Sequence, residues 1–187
     1  MKKNISFLCL LLFCMQVANA QLTKGNWLVG GSGYLSSQSQ NQRGQNVKGS
    51  NLRLSPNLGY FIADKFAAGA RISFEHNTLK YLGVSQKTTT VSIGPFLRYY
   101  LLNVEKKINI FTEGSYLYSH TSSNTSSNTD SDNKFRVSAG PIIYFNSSVG
   151  LEFSLNYELY NSSVTDTEVK TFFLGIGFQI HLEKDKN

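Results

Sequence analysis

The chain has 187 residues, a formal net charge of +6 and two cysteines, Cys9 and Cys14. That length is one domain's worth, and the basic excess holds no compact Lys/Arg block of the kind that grips nucleic acid. No stretch beyond residue 20 approaches the run of about eighteen apolar residues that a membrane-spanning helix needs, which excludes helical spans.

Residues 1–20 read as an export signal. Lys2 and Lys3 form a basic start, Ile5–Met15 an apolar stretch, and Ala18-Asn19-Ala20 a small-x-small cleavage site, with the cut expected after Ala20. Both cysteines fall inside it, and Phe13 before Cys14 is not the small residue that lipidation requires. The remaining chain carries no thiol, so its stability must come from a conventional core or from the membrane.

Eight segments then alternate apolar and polar residues at period two, the pattern of half-buried strands. Asn26–Leu35 sets Trp27, Val29 and Leu35 against Gly30, Ser32 and Tyr34. Ser36–Ser50, rich in Gln, Asn, Ser and Gly, reads as a polar loop. Asn51–Phe61 alternates Leu52, Leu54, Pro56 and Leu58 with Arg53, Ser55, Asn57 and Gly59, and Ile62–Lys65 is a tight turn. Phe66–His76 opposes Ala68, Ala70, Ile72 and Phe74 to Gly69, Arg71, Ser73 and Glu75.

After a loop at Asn77–Thr88, Thr89–Leu101 sets Val91, Ile93, Pro95, Leu97 and Tyr99 against Ser92, Gly94, Phe96, Arg98 and Tyr100. Leu102–Lys107 turns the chain into Ile108–Ser119, with Ile110, Tyr116 and Tyr118 opposite Glu113 and Ser115. The Ser-Ser-Asn-Thr run within Thr121–Asn133 cannot bury apolar surface and is expected to be the most mobile loop. Lys134–Phe145 places Phe135, Val137 and Ile143 against Lys134, Arg136 and Tyr144. Asn146-Ser147-Ser148 leads into Val149–Tyr160, where Leu151, Phe153 and Leu155 oppose Glu152, Ser154 and Glu158. Asn161–Thr167 is the last loop before Lys170–Leu182.

Such segments reach the nine to eleven or so residues that a bilayer-crossing strand needs, beyond the five or six usual in soluble sheets. Connections one, three, five and seven are long and polar; two, four and six are short. These features predict an all-β fold, an eight-stranded antiparallel up-and-down transmembrane β-barrel over 21–182 with a short charged tail at 183–187. The three prolines share one phase, in Ser55-Pro56-Asn57, Gly94-Pro95-Phe96 and Gly140-Pro141-Ile142, which suggests a recurring bulge toward one end.

The export signal, the Lys24-Gly25-Asn26-Trp27 opening, the proline phrases ending in aromatics and the Gly175-Ile176-Gly177-Phe178 closing strand resemble the small outer-membrane β-barrel proteins, OmpX-like and OmpA-transmembrane-domain-like, of Gram-negative bacteria. The resemblance covers the chain from the signal onward. It implies residence in the outer membrane among its lipids, insertion by the barrel-assembly machinery, and no cofactor. One departure is the C-terminus, where Phe178 is followed by Ile180 and a charged tail and not by a final aromatic.

Apolar faces turned to lipid send Arg53, Arg71, Glu75, Arg98, Glu113, Lys134, Arg136, Glu152 and Glu158 into the lumen. An eight-stranded barrel is just wide enough for side chains to fill, so these charges are expected to pair into a plug. The alternatives are a small gated ion channel, in which an Arg–Glu pair switches partners, and a lipid-modifying enzyme. For the latter, His120-Thr121-Ser122 resembles the His-x-Ser pair of lipid A deacylases, with Asp130 and Asp132 the nearest acids. His76 and His181 stand alone at strand ends and are expected in the membrane interface, and three scattered histidines support no metal site. Gly30-Gly31, Gly175 and Gly177 precede no helix and imply no phosphate loop. The polar loops remain as the surface for a weak extracellular partner.

Overall fold

A computed structural model describes residues 22–42, 45–81, 83–103, 106–162 and 167–183. The export signal and residues 184–187 of the tail lie outside them. The strands are β1 (Trp27–Gln42), β2 (Gln45–Ala63), β3 (Phe66–Tyr81), β4 (Val84–Tyr100), β5 (Ile108–Ser123), β6 (Ser126–Tyr144), β7 (Val149–Ser162) and β8 (Thr167–Leu182). Each pairs antiparallel with the next, and β8 returns to β1 to close the barrel.

Alternation sorts the side chains by face. Leu54, Leu58, Leu97, Leu155 and Leu174 point outward and are exposed, while Arg53, Arg71, Arg98, Glu113 and Glu152 point inward and are buried. On β8 the outward apolar run extends from Phe172 to Leu182. At about 3.3 Å per residue and a tilt near 40°, it spans about 25 Å along the barrel axis, the height of a lipid-facing band. Aromatic pairs mark both edges: Trp27 and Tyr60 ring centroids lie 5.2 Å apart at the base, where Leu22 and Leu182 lie, and Tyr157 and Phe172 4.6 Å apart near the top.

Above the band the structure departs from the expected loops. The described residues of Ser36–Ser50, Asn77–Thr88, Thr121–Asn133 and Asn161–Thr167 are largely strand, because the ladders continue through Ser37–Ser50, Thr78–Lys87, His120–Ser131 and Asn161–Glu168. Ser36–Ser50, Thr121–Asn133 and Asn161–Thr167 are mostly polar on both faces, so period two carries little contrast there, while Asn77–Thr88 sets Leu79, Tyr81 and Val84 among polar residues; peptide groups pair regardless of side chain. The tip at Asn124 is also anchored. Lys87 N donates to Asn124 Oδ1 at 2.7 Å, and Asn124 Nδ2 donates to Ser85 O at 3.1 Å.

The prolines make no bulge. Among the described residues, register shifts occur only at Phe61/Ala63 and Thr121/Ser123. At each proline one ladder skips and then resumes in the same register, as from Ile93–Tyr118 to Phe96–Ser115 beside Pro95. The other flank stays paired, as in Ala70–Pro95. A missing N–H removes ladder bonds on one side without adding a residue. The glycine before two of the prolines is required by close approach: a Cβ on Gly94 would lie 1.9 Å from Tyr116 O, and one on Gly140 would lie 1.9 Å from Phe153 O.

Two outcomes follow from these placements. Gly94→Ala and Gly140→Ala should each deplete the folded form, seen as loss of the band whose gel mobility changes on boiling, because a facing backbone oxygen cannot swing away as a side chain can. Nitroxides placed at Leu155 and Lys170 should separate, the first relaxed by lipid-dissolved oxygen and the second by an aqueous nickel chelate. The reverse order would contradict the outward assignment of the apolar face.

Candidate functional site

The lumen is filled in tiers. At the base, Leu28, Phe61, Tyr100, Phe111 and Ile142 are fully buried with Leu22. The segment before β1 crosses beneath them, held by Lys65 N donating to Leu22 O at 2.7 Å and Gly25 N donating to Phe61 O at 2.9 Å. His181 sits among these rings. Its centroid is 5.6 Å from Phe61, 5.8 Å from Tyr100 and 5.5 Å from Tyr144, and its Nε2 is 3.2 Å from Tyr100 OH. The expectation of an interfacial His181 is therefore corrected: its odd position shares the inward phase of Gly177 and Gln179, and the narrow base encloses it. His76 is outward and exposed, with Nδ1 3.1 Å from Thr89 Oγ1.

Above the rings lies a four-charge tier. Arg98 donates through Nε to Glu113 Oε2 at 2.9 Å and through Nη1 to Glu152 Oε2 at 2.7 Å. Arg71 reaches the same Glu113 with both terminal nitrogens, Nη2 to Oε2 at 3.1 Å and Nη1 to Oε1. Glu113 is thus gripped by two guanidiniums and Arg98 by two carboxylates. The Arg98 guanidinium also lies 4.4 Å from the Phe111 ring centroid, over the base tier.

A second charged tier stands higher. Arg53 Nη2 donates to Glu75 Oε2 at 2.6 Å, and Arg53 Nη1 to Glu158 Oε2 at 3.1 Å. Arg136 Nη2 donates to the same Glu158 oxygen at 2.6 Å. Lys134 is more loosely held, with Nζ 3.7 Å from Glu75 Oε2. Over this tier a polar cavity of about 330 Å³ is lined by Arg53, Lys134, Thr90, Tyr160 and Phe173 among others.

These nine charged residues join in two kinds of contact. Arg98–Glu113, Arg53–Glu75 and Arg136–Glu158 are directly opposed on neighbouring strands. Arg71–Glu113, Arg98–Glu152 and Arg53–Glu158 connect strands that are not neighbours and cross the interior. Such pairs carry a large desolvation cost, which shared, bidentate hydrogen bonding offsets. Sequence reasoning misses the apolar base: Leu28, Phe61, Phe111 and Ile142 share the inward phase of the charges, and that phase is the signal that points to them.

His120 faces outward, with Nδ1 3.3 Å from Ser131 Oγ, and Ser122 is outward and exposed as well. Asp132 is buried on the opposite face, where its Oδ2 accepts a hydrogen bond from Tyr160 OH at 2.7 Å. The side chain of Asp130 lies outside the described residues.

A closed eight-stranded barrel with an apolar exterior band and a lumen packed with paired charges defines an integral membrane β-barrel of the outer-membrane type. The chain belongs to the outer membrane protein beta-barrel domain family, whose model matches residues 5–181. Its fold is similar to the crystal structure of Neisserial surface protein A (NspA), with 17% identity over 84% of this chain and 97% of that one and a TM-score of 0.54. Also similar are the N-terminal β-barrel domain of Pseudomonas aeruginosa OprF, with 12% identity over 85% and 98% of the two chains and a TM-score of 0.46, and the outer membrane enzyme PagL, with 12% identity over 82% and 98% and a TM-score of 0.45. No curated protein matches the chain in sequence.

Removing one member of the lower charged tier leaves its partners buried and uncompensated. Glu113→Gln should lower the unfolding free energy by roughly 3–5 kcal/mol, measured by urea titration of the barrel in detergent. Lys170→Gln, which breaks an exposed 3.0 Å pair with Glu168, should leave the urea midpoint unchanged, because solvent screens that pair.

Proposed function

We propose that this protein is a non-enzymatic outer-membrane barrel whose lumen is a plug and whose work is done at its surface. The observation that carries the proposal is the stacking of two charged tiers on a ring-filled base. An ion moving along the axis meets guanidiniums already held by carboxylates and then a base filled by Leu22, Phe61, Phe111 and Ile142, where Tyr100 OH and His181 Nε2 lie within hydrogen-bond reach of each other. The polar hairpins above the band then offer what a partner can touch. They are mostly Ser, Thr, Asn and Gln, so contact there is weak or gains its strength from many small hydrogen bonds. In this proposal the chain is exported in a Gram-negative cell, cut after Ala20, and inserted into the outer membrane by the barrel-assembly machinery.

A small gated ion channel is the second reading. It is favoured by one feature, the sharing of Arg98 between Glu113 and Glu152, since a shared cation can trade one partner for the other. That exchange alone leaves Phe61, Phe111 and Ile142 in the way.

Planar-bilayer recording separates the two. The purified protein should give no discrete openings at high voltage, and Glu152→Gln should leave it silent. Steps of defined conductance that change with Glu152→Gln would replace the plug with the channel.

A further inference from the structure

The seam between β1 and β8 is paired along only part of its length. Trp27–Gly33 matches Leu182–Ile176, yet β1 continues to Gln42 and β8 begins at Thr167. The same register would set Tyr34 opposite Gly175 and Leu35 opposite Leu174, but among the described residues no ladder pair joins the two strands there. This gap lies within the apolar band. Leu35, Leu174 and Phe172, at 75%, 73% and 69% exposed, are the most exposed large hydrophobic residues described, and all three flank it. Hydrocarbon offers nothing to satisfy an unpaired strand edge, so an open seam at this depth is costly unless it is used.

Two spaces meet at the gap. Outside lies an apolar cleft of about 510 Å³, lined by Leu35, Leu52, Leu54, Phe153, Leu174 and Ile176. Inside lies the polar cavity of about 330 Å³ above the upper charged tier. Tyr34 lines both, and its ring packs against Phe173 at 5.0 Å and 57°, forming a partition that a change of rotamer would open.

We propose that this seam is a lateral portal that binds a long-chain carboxylate, with the tail in the outer cleft and the carboxylate at Lys134. The acids of the cavity are already served: Glu75 accepts from Arg53 and Asn51, and Glu158 from Arg53 and Arg136. Lys134 is not served to the same degree. Its side chain is 10% exposed, its Nζ lies 5.5 Å from the Tyr160 ring centroid and 3.7 Å from Glu75 Oε2, an oxygen already 2.6 Å from Arg53, and it makes no hydrogen bond among the described residues. The spare charged capacity of the cavity is therefore a donor, which an anionic head satisfies through a charge-assisted hydrogen bond. Both volumes are those of a site for one small ligand, which favours a single chain over a two-chain lipid.

The register supplies the test, since no cysteine follows Cys14. The full mature barrel, folded in detergent, is titrated with radiolabelled palmitate. Saturable binding is expected. A Leu35→Cys, Leu174→Cys pair, opposite each other if the register is carried on across the gap, should lose affinity by about tenfold or more on oxidation and regain it on reduction, as the portal is shut and reopened. Lys134→Gln should weaken binding by about tenfold, the loss of one charge-assisted hydrogen bond, and Lys134→Arg should preserve it. Absence of saturable binding overturns the proposal. So does equal affinity for methyl palmitate, which needs no variant to measure, or equal competition by a two-chain phosphatidic acid. Affinity unmoved by both the crosslink and Lys134→Gln overturns it as well.

Discussion

A peptide group at hydrocarbon depth has no water to bond, so every N–H and C=O there must find a partner within the protein. Closure of the sheet is the solution adopted here, and most other features follow from it. Eight strands give a narrow cylinder. Outward positions must then be apolar along the band from Phe172 to Leu182 and its counterparts, and inward positions must fill a confined interior. Three prolines are tolerated because each gives up ladder bonds on one side only and leaves the register intact. Among the described residues, the seam of β1 with β8 is the place where the constraint is relaxed within the band over several residues, which is why it draws functional attention.

The interior is organised by the cost of burying charge. No guanidinium or carboxylate in the lower tier stands alone: Glu113 binds two arginines, and Arg98 binds two glutamates. The cross-lumen pairs act as struts between opposite walls, while the neighbouring-strand pairs fix the rotamers from which the struts extend. Below them the interior changes character. Rings and aliphatic side chains close the base, and Leu22 enters from the segment before β1 to complete it. A polar cavity, a charged plug and an apolar floor thus succeed one another along the axis, and each follows from which inward residues lie at that height.

Several of these features are legible in the chain itself. Alternation in Asn51–Phe61, Val149–Tyr160 and Lys170–Leu182 reveals strands and their faces, because period two is a direct consequence of strand geometry. Other features are obscured. The hairpin extensions at Ser36–Ser50 and Thr121–Asn133 carry polar residues on both faces, so their pairing leaves no hydrophobic mark. The proline phrases point to an irregularity, but composition does not distinguish a skipped bond from an inserted residue. His181 is obscured by its place at the end of a strand, although its phase puts it inside.

Strand number, strand order and the side of the sheet each residue occupies are written into the amino-acid order, since they depend on short-range periodicity and hairpin order. That Arg53 meets Glu158, that Arg98 meets Glu152, and that the rings of Phe61, Tyr100 and Tyr144 converge on His181 emerges only in three dimensions. Those partners lie far apart in the chain and mostly on strands that do not pair. They come within reach when the sheet curls shut, because the radius and stagger of the closed barrel, and no local property of the residues, set which side chains share a height across the lumen.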